Sequence, residues 1–213
     1  MHEMFRVLGQ QMGLERVRGI LEESIDVYLN AAIKETVANV VKSNVQTIYK
    51  DKITVQDNPI SPLNGVSTLY KEHITKVESA SGADVNVTLD NVQYIFGFSI
   101  SYPGETNYKQ CRFIEPDRVD ITLDDYCSRA SKRYPIITFV SADENTNSYK
   151  FRIYTGKTNI NNLRIKYIKL PNEVSLEQNI NCDLPEHLHK DVVELAVQKY
   201  FNSVGSTSQS VKQ

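Results

Sequence analysis

One stretch of the sequence carries residue types that could do chemistry. Residues 182–191, CDLPEHLHKD, hold a thiol, two histidines and three carboxylates, the groups that bind metals or transfer protons. His187 and His189 differ by two positions, about 200° on a helix, so they cannot both face one metal. His187 and Asp191, at i and i+4, share a helix face, but two ligands do not make a metal site.

The same residues are also signals for the start of a helix. Asp183 lies where an N-cap belongs, and Pro185 falls in the first turn, where its missing N–H costs nothing. Glu186 and Asp191 lie near the positive end of the predicted helix. We therefore predict a helix start with exposed histidines, and no catalytic, metal-binding or cofactor-binding residue. A metal site, or catalysis by His187 or His189, is the alternative.

Other common signatures of enzymes are missing from the sequence. It has no GxSxG, GxGxxG, HExxH, EF-hand or phosphate-loop motif. The three cysteines, Cys111, Cys127 and Cys182, are widely spaced with no CxxC, which favours reduced thiols over a disulfide framework or a zinc ribbon. Cys111 and Cys127 lie in apolar or mixed contexts, so we predict buried, inert thiols.

Composition indicates a globular protein without a membrane anchor. The chain has 213 residues, 40% of them hydrophobic, enough for a core in one domain or two small ones. No window reaches the roughly 18 apolar residues that span a bilayer, and the first residues lack the pattern of a secretion signal. We expect the protein to stay where it is made. Its net charge of −2 gives no global attraction to nucleic acid, so DNA contact would need a local patch.

Helical periodicity marks both ends of the chain. Apolar residues recur in steps of three and four from Ser24 to Ile48, which predicts one long amphipathic helix. A shorter helix is predicted from Met4 to Arg18, with Gly19 as its break. A third is predicted from Glu186 to Val204 with Leu195 in the middle of its apolar stripe, ended by Gly205. We expect the helices of the two ends to pack together.

The middle of the chain has the short, β-branched runs that are typical of strands. Between the strands, a short helix is predicted to begin at Asp124 or Asp125 and to end before Pro135. The fold class is therefore α+β, with a largely antiparallel β-rich middle. The domain ranges are 1–50 (helical), 51–170 (β-rich), 171–205 (loop and C-terminal helix) and 206–213 (flexible tail). The predicted strands are Leu69–Val77, Asp84–Leu89, Gln93–Tyr102, Gln110–Ile114, Ile136–Ser141, Tyr149–Tyr154 and Leu163–Ile168.

Charge is segregated near the end of the β-rich middle. Residues 150–169 contain six basic side chains and no acid, whereas residues 171–191 contain five acids and one base. Strand alternation places Lys150 with Arg152, and Arg164 with Lys166, on one face each. If the two strands pair as a hairpin, the four cations form a basic strip. The strip could be a solvated face, a contact between subunits or a contact with DNA.

Three segments together resemble the head-to-tail connector proteins of tailed bacteriophages, and most closely the ring proteins of crAss-like phages with short tails. They are VLGQQMGLERVRGILEESIDVYLNAAI (Val7–Ile33), RIKYIKLPNEV (Arg164–Val174) and DLPEHLHKDVVELAVQKY (Asp183–Tyr200). In such adaptors a last strand of the form Y-[IL]-[KR]-x-P, here Tyr167 to Pro171, leads after a loop into a helix that opens with Leu-Pro. The large β middle departs from the mostly helical adaptors of some long-tailed phages.

The resemblance implies an assembly role and no catalytic residues. Identical copies, commonly twelve, form a ring below the portal protein, next to other ring or tail proteins, and the genomic DNA passes through the channel. The protein is then expected in the virion, after synthesis in the cytoplasm of the bacterial host. Another tail or neck interaction module, and a small hydrolase that uses His187 or His189, are the alternatives.

Overall fold

The chain divides into two compact units. The computed structural model describes residues 1–11, 20–50, 62–143 and 146–209. One unit, here called the helical unit, comprises Met1–Leu69 and Leu170–Gln213, and the other, the β unit, comprises Tyr70–Lys169. The α+β class that the sequence predicts is confirmed, because helices form the first unit and two largely antiparallel sheets form the second.

Within the described residues, the α-helices occupy four stretches. They are α1 (His2–Gln11), α2 (Glu22–Lys50), α3 (Val119–Asp124) and α4 (His189–Gln209), and 3-10 segments cover Pro62–Leu69, Pro116–Arg118 and Glu186–Leu188. The long helix predicted from Ser24 to Ile48 is therefore present as α2. The helix predicted from Met4 to Arg18 is present as far as Gln11, and its remainder, with the break at Gly19, lies outside the described residues.

Helices from the two ends of the chain pack on each other in the helical unit. The ring of Tyr200 on α4 lies edge-on to Phe5 of α1 and to Tyr28 of α2, with centroid distances of 6.1 and 5.3 Å. This packing confirms the prediction that the two ends meet. Buried residues recur in helical steps along α2 and α4: Ile25, Leu29, Ala32, Ile33, Val37 and Val41 on the former, and Val192, Val193, Ala196 and Val197 on the latter.

Two details of α4 differ from the prediction. The helix does not end at Gly205 but continues to Gln209, so residues 206–209 are helical rather than part of a tail. A single glycine in a helix costs only about 1 kcal/mol relative to alanine, which is too little to end a helix by itself. In addition, Leu195 is only half-buried, so the stripe is centred on Val193 and Ala196 instead.

The described strands of the β unit form a sandwich of two four-stranded sheets. One sheet has the strand order β1-β8-β3-β4 and the other β2-β7-β6-β5. All pairs are antiparallel except β5 with β6. The strands are β1 (Tyr70–Ser79), β2 (Asp84–Thr88), β3 (Val92–Ser101), β4 (Lys109–Gln110), β5 (Arg112–Phe113), β6 (Ile136–Asp143), β7 (Ser148–Tyr154) and β8 (Ile160–Lys169).

Alternation along the strands builds one core between the two sheets. Phe151 and Ile153 of β7 share a buried cluster with Leu163, Ile165 and Tyr167 of β8. The rings of Phe98 on β3 and Phe151 on β7 lie 5.0 Å apart at 62°, and so join the sheets directly. Because successive side chains of a strand point to opposite faces, the residues between these core positions are directed away from the core.

Two predicted elements in the β unit are wrong. Gln110–Ile114 is not one strand but two, β4 and β5, in different sheets. The Cys111 N–H donates to the Phe98 carbonyl of the first sheet at 2.8 Å, and the next N–H, of Arg112, donates to the Pro135 carbonyl at 2.9 Å. The helix predicted to begin at Asp124 or Asp125 is absent, since α3 ends at Asp124. Asp125 instead accepts hydrogen bonds from the Cys127 N–H and the Ser128 hydroxyl, which stabilise a turn.

Among the described residues, no helix is both long enough and apolar enough to cross a membrane.

The buried stripe of α4 can be tested with a matched pair of substitutions. Val193 is fully buried, whereas Gln198 on the same helix is exposed. We expect Val193→Ala to lower the free energy of unfolding by about 2 kcal/mol, since it removes two buried methyl groups and leaves a cavity. Gln198→Ala is expected to change it by less than about 0.5 kcal/mol. Urea unfolding measures both values, and equal effects would show that this face of α4 is not core.

Candidate functional site

Asp183 connects the start of the C-terminal helix to the loop that precedes it. One of its carboxylate oxygens accepts a hydrogen bond from the Asn172 N–H at 3.0 Å, and its carbonyl accepts one from the Thr68 hydroxyl at 2.7 Å. The residue that occupies the N-cap position is Pro185, which makes no side-chain capping bond. The predictions that Asp183 is the N-cap and that Pro185 lies in the first turn are therefore wrong. Asp183 holds the loop in place instead.

The two histidines of this segment do not converge on one site. His187 is exposed in the 3-10 turn, whereas Nε2 of the half-buried His189 lies 3.0 Å from the Leu184 carbonyl. His189 and Cys182 line a pocket of about 170 Å³ together with His2, a residue that the sequence analysis did not single out. His2 is already paired with Asp26 at 2.6 Å. In the part of the chain that the structure describes, no three His, Cys, Asp or Glu side chains are placed to hold a metal ion.

The three thiols differ in their environments. Cys111 is buried in the core of the sandwich, and this burial raises the pKa of its thiol to about 12. Burial also raises the pKa of the half-buried Cys182. Cys127 is exposed, so the prediction of a buried thiol is wrong there, because the expected helix is replaced by a surface turn.

The basic strip predicted from four cations does not form. Lys150 and Arg152 lie on β7 of one sheet, and Arg164 and Lys166 on β8 of the other, so the hairpin that the strip requires is absent. Along β7, Lys150 and Arg152 alternate with the core residues Phe151 and Ile153. Along β8, Arg164 and Lys166 alternate with core residues in the same way. The cations therefore lie on the two opposite outer faces of the sandwich, as two separate pairs.

Acids of neighbouring strands neutralise three of these four cations. The Arg152 guanidinium donates two hydrogen bonds to the carboxylate of Asp84, at 2.6 and 3.2 Å, and holds the pKa of that carboxyl below its usual range. On the other face, Glu72 lies 3.8 Å from Arg164 and 3.4 Å from Lys166. A hydrogen bond from the Tyr70 hydroxyl, followed by the effect of Lys166, lowers the pKa of Glu72. The cations thus connect strands within the sandwich.

Arg164 has a further contact that sequence reasoning missed. Its guanidinium carbon lies 3.7 Å from the centre of the Tyr108 ring, which is a close cation–π contact. Tyr108 precedes β4, and its position beside β8 depends on the path of the intervening loop. No spacing in the sequence indicates this pair.

The β unit has an apolar groove of about 510 Å³ near strands β3 and β5. We call it the aromatic groove, and its walls come from both sheets. Five of the seven phenylalanines of the chain line it: Phe96, Phe98, Phe113, Phe139 and Phe151. All five fall in predicted strands, but the sequence does not indicate that their side chains share one surface, because they come from four strands of two sheets.

Comparison of the chain with protein-family models gives no match, and comparison with curated proteins gives none either.

The structural role of the histidine segment predicts mild effects of substitution. We expect His187→Ala to leave the melting temperature unchanged, because the side chain is exposed. His189→Ala should cost about 1 kcal/mol, the usual contribution of one hydrogen bond. The double variant should still fold. Loss of a bound metal or of a hydrolytic activity in the double variant would instead support the alternative of an enzyme.

The exposures of the thiols predict their order of reaction. At neutral pH a thiol reagent should modify Cys127 rapidly in the folded protein and Cys111 only after unfolding, because the reactive thiolate of Cys111 forms only near its raised pKa and the side chain is inaccessible. Mass spectrometry of the peptides after brief labelling identifies the modified residues. The variant Cys127→Ser is the control, and fast labelling that persists in it would contradict the assignment of Cys127.

Proposed function

We propose that the chain is a structural virion protein, a subunit of the connector ring that joins the portal and capsid of a bacteriophage to its tail. In this proposal identical copies, twelve of them in the commonest arrangement, surround the channel through which the genomic DNA passes. The neighbours of the ring are the portal protein and other ring or tail proteins. The protein performs no catalysis in this role.

The observation that carries the proposal is the meeting of the segments on which the resemblance rests. The side-chain amide of Asn30 donates to the Val174 carbonyl at 3.0 Å and accepts from the Val174 N–H at 2.7 Å. One turn further along α2, Lys34 pairs with Glu173 at 2.8 Å. The helix that follows Leu184-Pro185 packs on the same helix, where Lys199 pairs with Glu35 at 2.5 Å. Parts of three motifs that are distant in the sequence thus meet in the helical unit, whereas the strand residues 164–169 of the second motif belong to the β unit.

Exposed apolar side chains on the helical unit support an assembly role. Val27 on α2 is 66% exposed, Leu21 just before it 70%, and Val7 on α1 54%. A contiguous apolar surface in contact with water favours association, and in a ring these side chains would contribute to such a surface. A ring subunit needs such surfaces on its free form, whereas a monomeric enzyme does not.

A different tail or neck interaction module is the second candidate. The aromatic groove favours it, since a phenylalanine-lined cleft suits a protein partner and requires no ring. Catalysis by His187 or His189 receives no comparable support, because His187 is exposed alone and the ring of His189 is engaged with a backbone carbonyl.

The position of the protein can be tested in virions. Electron microscopy of purified particles should show a closed ring of this chain at the portal vertex. Absence of the chain from that vertex would refute the connector proposal, and its presence elsewhere in the tail or neck would favour the second candidate.

A pair of substitutions on α2 tests whether its exposed surface takes part in assembly. We expect Val27→Glu to leave the isolated subunit folded, with a change of less than about 0.5 kcal/mol in stability, but to reduce incorporation into particles. Asn39→Glu, also on the exposed side of α2, adds the same charge without removing an apolar side chain. Quantitative mass spectrometry of particles gives the copy number. Equal incorporation of both variants would show that Val27 is not at an interface.

A further inference from the structure

The chain passes between the helical unit and the β unit twice. It enters the β unit between Leu69 and Tyr70, and it leaves between Lys169 and Leu170. The β unit is therefore one continuous stretch of roughly 100 residues, within the usual size range of an independent domain. The helical unit is interrupted, since α1 and α2 precede this stretch and α4 follows it. The β unit is thus an insertion in the helical unit.

The two ends of the insertion lie side by side. Tyr70, the first residue of β1, is opposite Ile168 of β8 in an antiparallel pair, and Lys71 is opposite Tyr167. Opposed Cα atoms in such a pair are about 4.5 to 5.5 Å apart. Folding of the β unit therefore brings together the two points at which the helical unit is interrupted.

Asp183 connects the same two points within the helical unit. Its carbonyl accepts a hydrogen bond from the Thr68 hydroxyl at 2.7 Å, and its carboxylate accepts one from the Asn172 N–H at 3.0 Å. Thr68 lies just before the insertion and Asn172 just after it, and all three residues belong to the helical unit. We call these three residues the junction. Contacts inside each unit therefore hold the entry and the exit of the insertion together.

The β unit has a core of its own. Every residue of its buried cluster falls between Val85 and Tyr167, and therefore inside the insertion. The buried stripes of α2 and α4, with Leu29 and Val193 among them, belong to the helical unit. Burial of apolar surface is the main stabilising contribution to folding. A continuous stretch with its own core has what it needs to fold as a cooperative unit.

The state of the β unit determines the length of the loop that the helical unit must close. When the β unit is folded, its paired ends make it equivalent to a connection of a few residues between Leu69 and Leu170. When it is unfolded, the connection is a flexible loop of roughly 100 residues. Because the probability of closure falls as about the 3/2 power of loop length, the longer loop lowers the equilibrium constant for folding of the helical unit roughly a hundredfold.

This dependence is reciprocal. Because a coupling free energy is the same in both directions, a folded helical unit stabilises the β unit by the same factor. The physical reason is that the closed junction restricts the unfolded chain of the insertion, as a cross-link between its two ends would. The two units thus affect each other through the connectivity of the chain.

We propose that the β unit is a separately folding insertion, coupled to the helical unit by closure of the chain at the junction. Each unit then opens while the other stays folded, and the closure disfavours the open state of either one. A substitution in the core of one unit leaves the fold of the other intact. The proposal rests on the connectivity and the cores of the two units and does not depend on the connector ring.

Hydrogen exchange of the full chain in dilute urea tests the separate folding. Phe151→Ala in the core of the sandwich should speed exchange of the slowest amides of β3, β7 and β8 at least about tenfold, and should leave those of α2 and α4 within about twofold. Val193→Ala should do the reverse. If Phe151→Ala does not fold, Ile153→Val removes a single buried methyl group instead, with an expected effect of about fivefold on the strands. Equal acceleration in both units by either substitution would overturn the proposal.

A flexible insertion tests the closure. About ten Gly and Ser residues between Leu69 and Tyr70 lengthen the connection that the folded β unit provides, and should speed exchange of the slowest amides of α2 and α4 about fivefold while the strands stay unchanged. The control places the same residues between Gly104 and Glu105, in a surface turn of the β unit, and should leave α2 and α4 unchanged. Equal exchange of the helical amides in the two variants shows that chain closure does not couple the units, and the proposal is then wrong.

Discussion

The return of the chain from the β unit to α2 is the constraint on which the helical unit depends. Residues 170–209 follow α2 only after the whole sandwich, yet α4 supplies buried residues of the helical unit: Val192, Val193, Ala196 and Val197. Asn30 fixes this return, since its amide satisfies both the N–H and the carbonyl of Val174. A buried or half-buried loop needs such partners for its backbone, because each unpaired group costs about 1 to 3 kcal/mol.

In the sandwich, strands that alternate apolar and charged residues bury one of their faces and expose the other. Alternation sends Phe151, Ile153 and Leu163 to one shared core, and the cations between them to the surface. Because the sheets face each other, cations that are near in sequence finish on opposite sides. Pairing with Asp84 and Glu72 then neutralises Arg152, Arg164 and Lys166 within the unit. Exposed pairs of this kind contribute little to stability, but they remove the concentrated positive charge that a DNA-binding strip needs.

The two surfaces that favour association have different chemistry. The exposed apolar residues of the helical unit, such as Val27 on α2 and Leu21 just before it, are aliphatic. The aromatic groove is a concave surface lined by phenylalanine rings. An exposed helix face suits packing against another helix or sheet, whereas an apolar groove suits apolar side chains that enter it. The two surfaces therefore differ in the kind of contact that they favour.

The sequence by itself determined the elements whose signal is local. The period of apolar residues located α2, and alternation located β1, β3 and β7 to within about two residues, because each pattern repeats within the element. It did not determine which strands pair, so the basic strip was placed on a hairpin that does not exist. It also gave Asp183 a capping role, although a backbone N–H eleven positions earlier at Asn172 is the partner. Only the tertiary structure decided these contacts and brought five phenylalanines into one groove. Contacts between residues that are distant in the chain produce no periodic pattern in the sequence.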